Sequence, residues 1–229
     1  MSGNADGGGE VARTHGRHEF ATVSSTDVHV GRIFAVRADE VRMPGDTTSR
    51  REVVEHPGAV AVVAIDDAGR VVLVHQYRYP LGRRLWELPA GLLDVAGEDP
   101  LSTAQRELAE EAGIAAEQWS VLVDVASSPG FTDESVRVFL ARGLFDAERP
   151  CAGANEEADL VLDRTPLSEA VNMVFSGEIV NAPAVSGLLA AQSVSGGFAQ
   201  PRAPQAPWRD RPRRFSARFG DRAGGEPAG

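Results

Sequence analysis

The chain has 229 residues, 42% of them hydrophobic and 24% charged, which leaves room for one large domain and excludes a collagen, a coiled-coil rod and a wholly disordered chain. Its net charge is −10, with every basic residue an arginine, and that balance argues against nucleic-acid binding through the main body. No apolar run approaches the roughly 20 residues of a membrane-spanning helix, Met1–Arg17 has no apolar stretch like that of a secretory signal, and a single cysteine, Cys151, excludes a disulfide framework and fits a reducing cytoplasm.

Residues 1–17 are rich in Gly and small polar groups and read as a disordered tail. Phe20–Val28 and Gly31–Met43 alternate and carry many Val and Ile residues, so they read as strands joined by a turn at Asp27–Gly31. Glu52–His56 and Gly58–Ile65 are β-branched runs divided by Pro57-Gly58. Asp66–Gly69 is a hairpin turn into a strand over Arg70–Tyr77. Runs this apolar on both faces belong inside a sheet that is covered on both sides. Asp99 is a good N-cap and Pro100 a good first residue for a helix that Gly113 stops after Ala112. Strands follow near Trp119–Ala126 and Ser135–Ala141, then helices over Pro166–Ser176 and Asn181–Gln192. Residues 193–229 are rich in Arg, Pro and Gly and read as a second disordered tail. Strands, then a helix, then strands and two helices, make an α/β layered domain with a mixed sheet.

The helix after Pro100 holds the most informative residues. Glu107, Glu110 and Glu111 stand at i, i+3 and i+4, so their carboxylates share one face, beside an apolar stripe of Leu101, Ala104, Leu108 and Ala112. On an exposed surface such a face is merely solvated. In a partly buried site it needs cations, and hard divalent ions with oxygen ligands, Mg²⁺ above all, are the natural counter-charge. Arg106 lies at i, i+4 from Glu110 and can hold that carboxylate.

Gly91, Glu98, Arg106, Glu107, Glu110, Glu111 and Gly113 resemble the box of the Nudix hydrolases, which runs Gly, five residues, Glu, seven residues, Arg-Glu, two residues, Glu-Glu, one residue, Gly. Six residues, Leu92–Gly97, separate Gly91 from Glu98 here, so the shift falls on that turn and on Glu98 and leaves Arg106–Ile114 in register. Arg51-Glu52, HPGAVAVV at His56–Val63, HQYRYP at His75–Pro80, WELPAG at Trp86–Gly91 and SSPGFTDE at Ser127–Glu134 are similar to the ADP-ribose pyrophosphatase branch of that family, as is the interval from Gly113 to Pro129.

The resemblance implies a Nudix-type α/β/α sandwich with a mixed sheet, over residues 56–192, preceded by a small N-terminal antiparallel β region over 18–55. It implies that the backbone carbonyl of Ala90, with Glu107 and Glu111, holds Mg²⁺ (Mn²⁺ being the alternative ion), with Glu110 in a secondary role. A late acidic loop supplies the base in similar enzymes, which here means Glu156 or Glu157. Arg78 would pair a phosphate, while Arg51, Glu52, Leu92, Ser128, Pro129, Gly130 and Glu134 would meet the rest of the substrate. For Arg51 and Glu52 the alternative is a cross-strand salt bridge. The implied reaction is Mg²⁺-dependent hydrolysis of ADP-ribose to AMP and ribose 5-phosphate. Hydrolysis of another nucleoside diphosphate sugar, or non-catalytic sensing of ADP-ribose, are the alternatives. Similar enzymes are homodimers joined through their N-terminal strands, which would solve the edge problem of two long exposed strands.

Overall fold

The computed structural model describes residues 19–149 and 159–220. In chain order its elements are strands β1 (Thr22–Val30), β2 (Ala35–Arg42), β3 (Thr48–Glu55), β4 (Ala59–Ala64), β5 (Arg70–Arg78), β6 (Arg83–Glu87) and β7 (Ala90–Leu92), helix α1 (Pro100–Ala112), strands β8 (Ile114–Ala126), β9 (Ser135–Asp146) and β10 (Val161–Pro166), and helices α2 (Leu167–Ser176), α3 (Ala182–Ser195) and α4 (Arg214–Gly220).

The alternation of β4, AVAVVA, organises the centre. Ala61 and Val63 face one apolar cluster, shared with Leu73, Val138 and Leu140 and with Ala184 and Leu188 of α3. Val60, Val62 and Ala64 face another, shared with Phe139 and with Ala104 and Leu108 of α1. Successive strand residues point to opposite faces, so a run apolar at every position fills two cores at once. The result is helix on sheet on helix. β4 lies inside the four-stranded sheet β7-β4-β9-β8, parallel to β9 and antiparallel to β7. A second sheet, β10-β5-β6, is antiparallel throughout. The N-terminal sheet β1-β2-β3 is likewise antiparallel.

Three differences from the sequence expectation have local causes. The first turn comes later than Asp27–Gly31: β1 continues through Val30, and the Gly31 N–H closes the turn on the Phe34 carbonyl at 2.9 Å. Val28 and Val30 favour extended backbone, and β1 absorbs two register shifts before Gly31 breaks it. Strands β6, β7 and β10 carry no apolar run long enough to stand out; two are rich in charge and β7 has three residues.

The third difference is the segment after Ser195. Its Arg, Pro and Gly content suggests a disordered tail, yet as far as Gly220 it packs on the body. Arg202 exchanges two backbone hydrogen bonds with Val121, at 2.9 and 2.8 Å. Arg137, only 3% exposed, donates to the carbonyls of Ala206 and Pro207 at 2.7 and 3.1 Å and lies 4.8 Å from the centre of the Trp208 ring. Proline-rich chain does not form strands or helices readily, but its free carbonyls are good acceptors for a buried guanidinium. Among the described residues no helix is long and apolar enough to cross a membrane.

Candidate active site

Local sequence builds α1 at both ends. The Asp99 side chain accepts from the backbone N–H groups of Leu101 and Ser102, and Pro100 occupies the first turn. Gly113, at φ 66°, takes the left-handed conformation, and its N–H reaches back to the carbonyls of Ala109 and Leu108. The next two carbonyls, of Glu110 and Glu111, accept from the Arg149 guanidinium, the first at 2.9 Å from Nε.

The same helix turns carboxylates inward. Ala104, Leu108 and Glu111 are spaced i, i+4, i+7, so the core stripe that buries the first two also buries Glu111, to 8% exposure. Glu111 accepts from the Ala90 N–H at 3.0 Å. Burial pushes its carboxyl up to about 8, against the Ala90 hydrogen bond and reinforced by the charge of Glu107. Burial likewise pushes Glu107 up to about 7, with the Arg106 charge opposing.

Arg106 gathers the remaining carboxylates. Its Nε and Nη2 donate to the two oxygens of Glu98 at 3.2 and 3.1 Å, and Nη1 donates to Glu107 at 2.8 Å and to Glu110 at 2.9 Å. Those bonds hold Glu98 below the usual carboxylate range. The one-residue insertion before the helix therefore does not separate Glu98 from Arg106: the extra residue is taken up in the loop, where Gly97 sits at φ 82°.

Glu98, Glu107, Glu110 and Glu111 around Arg106 make a partly desolvated cluster of carboxyls, composed only of oxygen donors. That donor set fits a hard divalent cation and does not fit a soft one. Gly91 supports the fit, because a Cβ there would lie 2.0 Å from Cδ and Oε1 of Glu107. Only glycine lets β7 approach the carboxylate this closely. Among the described residues no three His, Cys, Asp or Glu side chains already converge on one point; Glu107 and Glu110 are drawn to Arg106 instead.

Arg78 stands at this cluster and its charge opposes the upward shift of Glu111. Its fork is held by Glu87, 2% exposed, through bonds of 2.8 Å from both Nε and Nη2. Sequence reasoning missed Glu87. The signal was present in β6, where Leu85 and Glu87 alternate onto the buried face. It also missed Arg149, whose role depends on the helix end and cannot be read from spacing.

The other expected site residues form a second group. The Val54 N–H donates to the Phe131 carbonyl at 2.8 Å and the His56 N–H donates to Asp133 Oδ1 at 2.8 Å, so the loop of Ser128, Pro129, Gly130 and Glu134 docks against the end of β3. His56 Nε2 lies 3.9 Å from Glu134. Leu92 pairs with Ala59 at the edge of the central sheet. Arg51 donates to Ser49 Oγ at 2.8 Å, while Glu52 lies 3.7 Å from Arg50. As neighbours along a strand, Arg51 and Glu52 project from opposite faces. Glu156 and Glu157 lie outside the described residues.

A family model described as the NUDIX domain matches residues 55–174. The chain is 57% identical over 205 residues to a Mycobacterium tuberculosis protein named ADP-ribose pyrophosphatase, covering 90% of this chain and 99% of that one. It is 41% identical over 167 residues to a Bacillus methanolicus protein named methanol dehydrogenase activator, covering 73% and 89%. A solved structure titled as an ADP compounds hydrolase superposes with a TM-score of 0.69 at 20% identity, over 80% of this chain and 98% of that one, a likeness of fold.

Proposed function

Because the chain belongs to the Nudix hydrolase family, we propose that it hydrolyses the pyrophosphate bond of ADP-ribose, releasing AMP and ribose 5-phosphate. The observation that carries this reading is the pair of half-buried Glu107 and buried Glu111 against Gly91, two carboxyls that desolvation pushes up and that a divalent cation would compensate. The name of the 57% identical relative supports the substrate.

Glu107, Glu111 and the Ala90 carbonyl would hold Mg²⁺, with Glu110 as a secondary ligand. The bound cation would neutralise phosphate oxygens and lower the pKa of a water. Glu156 or Glu157 accepts the proton of the attacking water; its oxygen forms a bond to phosphorus as the bridging P–O bond breaks. Arg106 positions Glu98, Glu107 and Glu110, and Arg78, pre-aimed by Glu87, pairs a substrate phosphate. Arg51, Glu52, Leu92, Ser128, Pro129, Gly130 and Glu134 line the rest of the substrate path. Residues 56–192 form the catalytic domain. Residues 18–55 join two chains into a homodimer, a reading supported by β1, which is exposed along its whole length, and by exposed Phe20, Ile33 and Phe34. The working compartment is the cytoplasm.

The test is AMP release from ADP-ribose and from a panel of nucleotide sugars, with and without Mg²⁺, by protein whose mass is measured by sedimentation. We expect Mg²⁺-dependent release with ADP-ribose preferred, from a particle of two chains. Preference for a nucleotide sugar would overturn the substrate, and a single-chain mass would overturn the dimer.

A further inference from the structure

We propose that Arg218, in the C-terminal segment, is a positioning residue that locks the N-terminal sheet onto the catalytic body in the orientation the substrate site requires. The segment is first fastened to the central sheet. Its anchors are the Arg202–Val121 backbone pair, the Arg137 bonds to Ala206 and Pro207, and the Trp208 indole, which donates to Ser135 Oγ at 3.1 Å. It then crosses Gly58, where a Cβ would approach Pro212 Cδ to 3.2 Å, and enters α4. Phe215 is buried, and its ring meets Phe219 edge to face at 5.2 Å.

From this anchored base Arg218 reaches across the N-terminal sheet. Nη1 and Nη2 form a bidentate pair with Asp27 of β1 at 2.8 and 2.7 Å, and Nε donates to Glu55 of β3 at 2.5 Å. Arg37 of β2 stands between those strands, with its Nε 2.7 Å from the other oxygen of Glu55. Asp27, Arg37 and Glu55 therefore form an acid–base–acid line over three strands, and Arg218 closes it from outside the sheet. Glu55 is 1% exposed. A buried carboxylate tolerates neither a lost partner nor a shifted one, so the contact fixes an angle as well as a distance.

The consequence for the substrate path is direct. Glu55 is flanked by Val54 and His56, the two residues whose backbone groups hold the loop of Ser128–Glu134. Arg51 and Glu52 lie a few residues back on the same strand. Loosening Arg218 would leave α1 and its carboxylates in place and let these substrate-facing groups drift. This inference rests on the substrate assignment above, so its test carries a readout independent of turnover.

That test compares wild type with Arg218→Ala, Arg218→Lys and Asp27→Asn, by steady-state kinetics and by amide hydrogen exchange. For Arg218→Ala we expect KM to rise about tenfold with kcat within about twofold. Asp27→Asn should move KM the same way, Arg218→Lys should recover part of the loss, and the double variant Asp27→Asn with Arg218→Ala should be no worse than Arg218→Ala. Exchange should quicken in β1 and β3 and stay unchanged in α1 and β4. Unchanged KM with unchanged exchange in Arg218→Ala would overturn the proposal, as would a fall in kcat with KM constant. If Arg218→Ala does not fold, Asp27→Asn, altered on an exposed strand, takes its place: raised KM with quickened exchange supports the lock, and no change in either overturns it. If wild type leaves ADP-ribose intact, the substrate assignment fails, and the exchange pattern alone decides the lock.

Discussion

Gly91 and Glu107 show how the site is set at single residues. A carboxyl pushed up to about 7 by burial is a group held ready for a counter-ion, and its neighbour Glu111, at about 8, is more so. Neither value follows from sequence, because both depend on how far α1 is pressed against β7. The residue types and their spacing did follow: Glu107, Glu110, Glu111 and Arg106 meet as the i, i+3, i+4 pattern requires. Gly91→Ala should act through Glu107, which must move to admit the new Cβ. We expect it to lower kcat/KM at least about a hundredfold, as Glu107→Gln should, with both variants melting close to wild type. A Gly91→Ala enzyme at wild-type activity would mean that the close approach does not matter.

Among the elements, α1 was the most legible, because Asp99, Pro100 and Gly113 mark its ends by chemistry that acts locally. The doubly apolar strand β4 was legible for a similar reason. Strands β6, β7 and β10 were not, since short polar strands are made by their neighbours and not by their own propensity. The C-terminal segment was hidden for the same physical reason: its hold comes from Arg137, Asp124 and Val121, all distant in sequence. Burial pushes Asp124 up, but hydrogen bonds from Arg137 and Arg202 more than reverse this, so its carboxyl lies below the ordinary range. A depressed carboxyl stabilises the fold above its unfolded pKa of about 4 and loses that contribution as pH falls through its folded value. Asp124→Ala leaves the buried Arg137 without its carboxylate, held only by the carbonyls of Ala206 and Pro207, and should lower stability by about 3 kcal/mol at neutral pH. In urea unfolding followed by tryptophan fluorescence, the gap between variant and wild type should narrow on acidification below about pH 4. A gap constant with pH would show that the pair contributes packing and no charge.

On the scale of the whole molecule, the chain divides its labour between a layered body that carries the carboxylates and an outlying sheet tied to it by the Ser128–Glu134 loop and by Arg218. The net charge of −10 is concentrated outside the arginine-rich C-terminal segment, and three of that segment's arginines, Arg202, Arg214 and Arg218, pair with Asp124, Glu55 and Asp27 of the rest of the molecule. As far as Gly220, the composition that suggested a disordered tail thus describes a clamp on the body. For a body built around a desolvated acidic helix, the decisive measurement is anomalous diffraction from crystals soaked in Mn²⁺. We expect the strongest peak between the Ala90 carbonyl, Glu107 and Glu111, with the Glu107 and Glu110 carboxylates released from Arg106 as needed. An empty cradle in crystals whose dissolved protein still hydrolyses ADP-ribose with Mn²⁺ would contradict it.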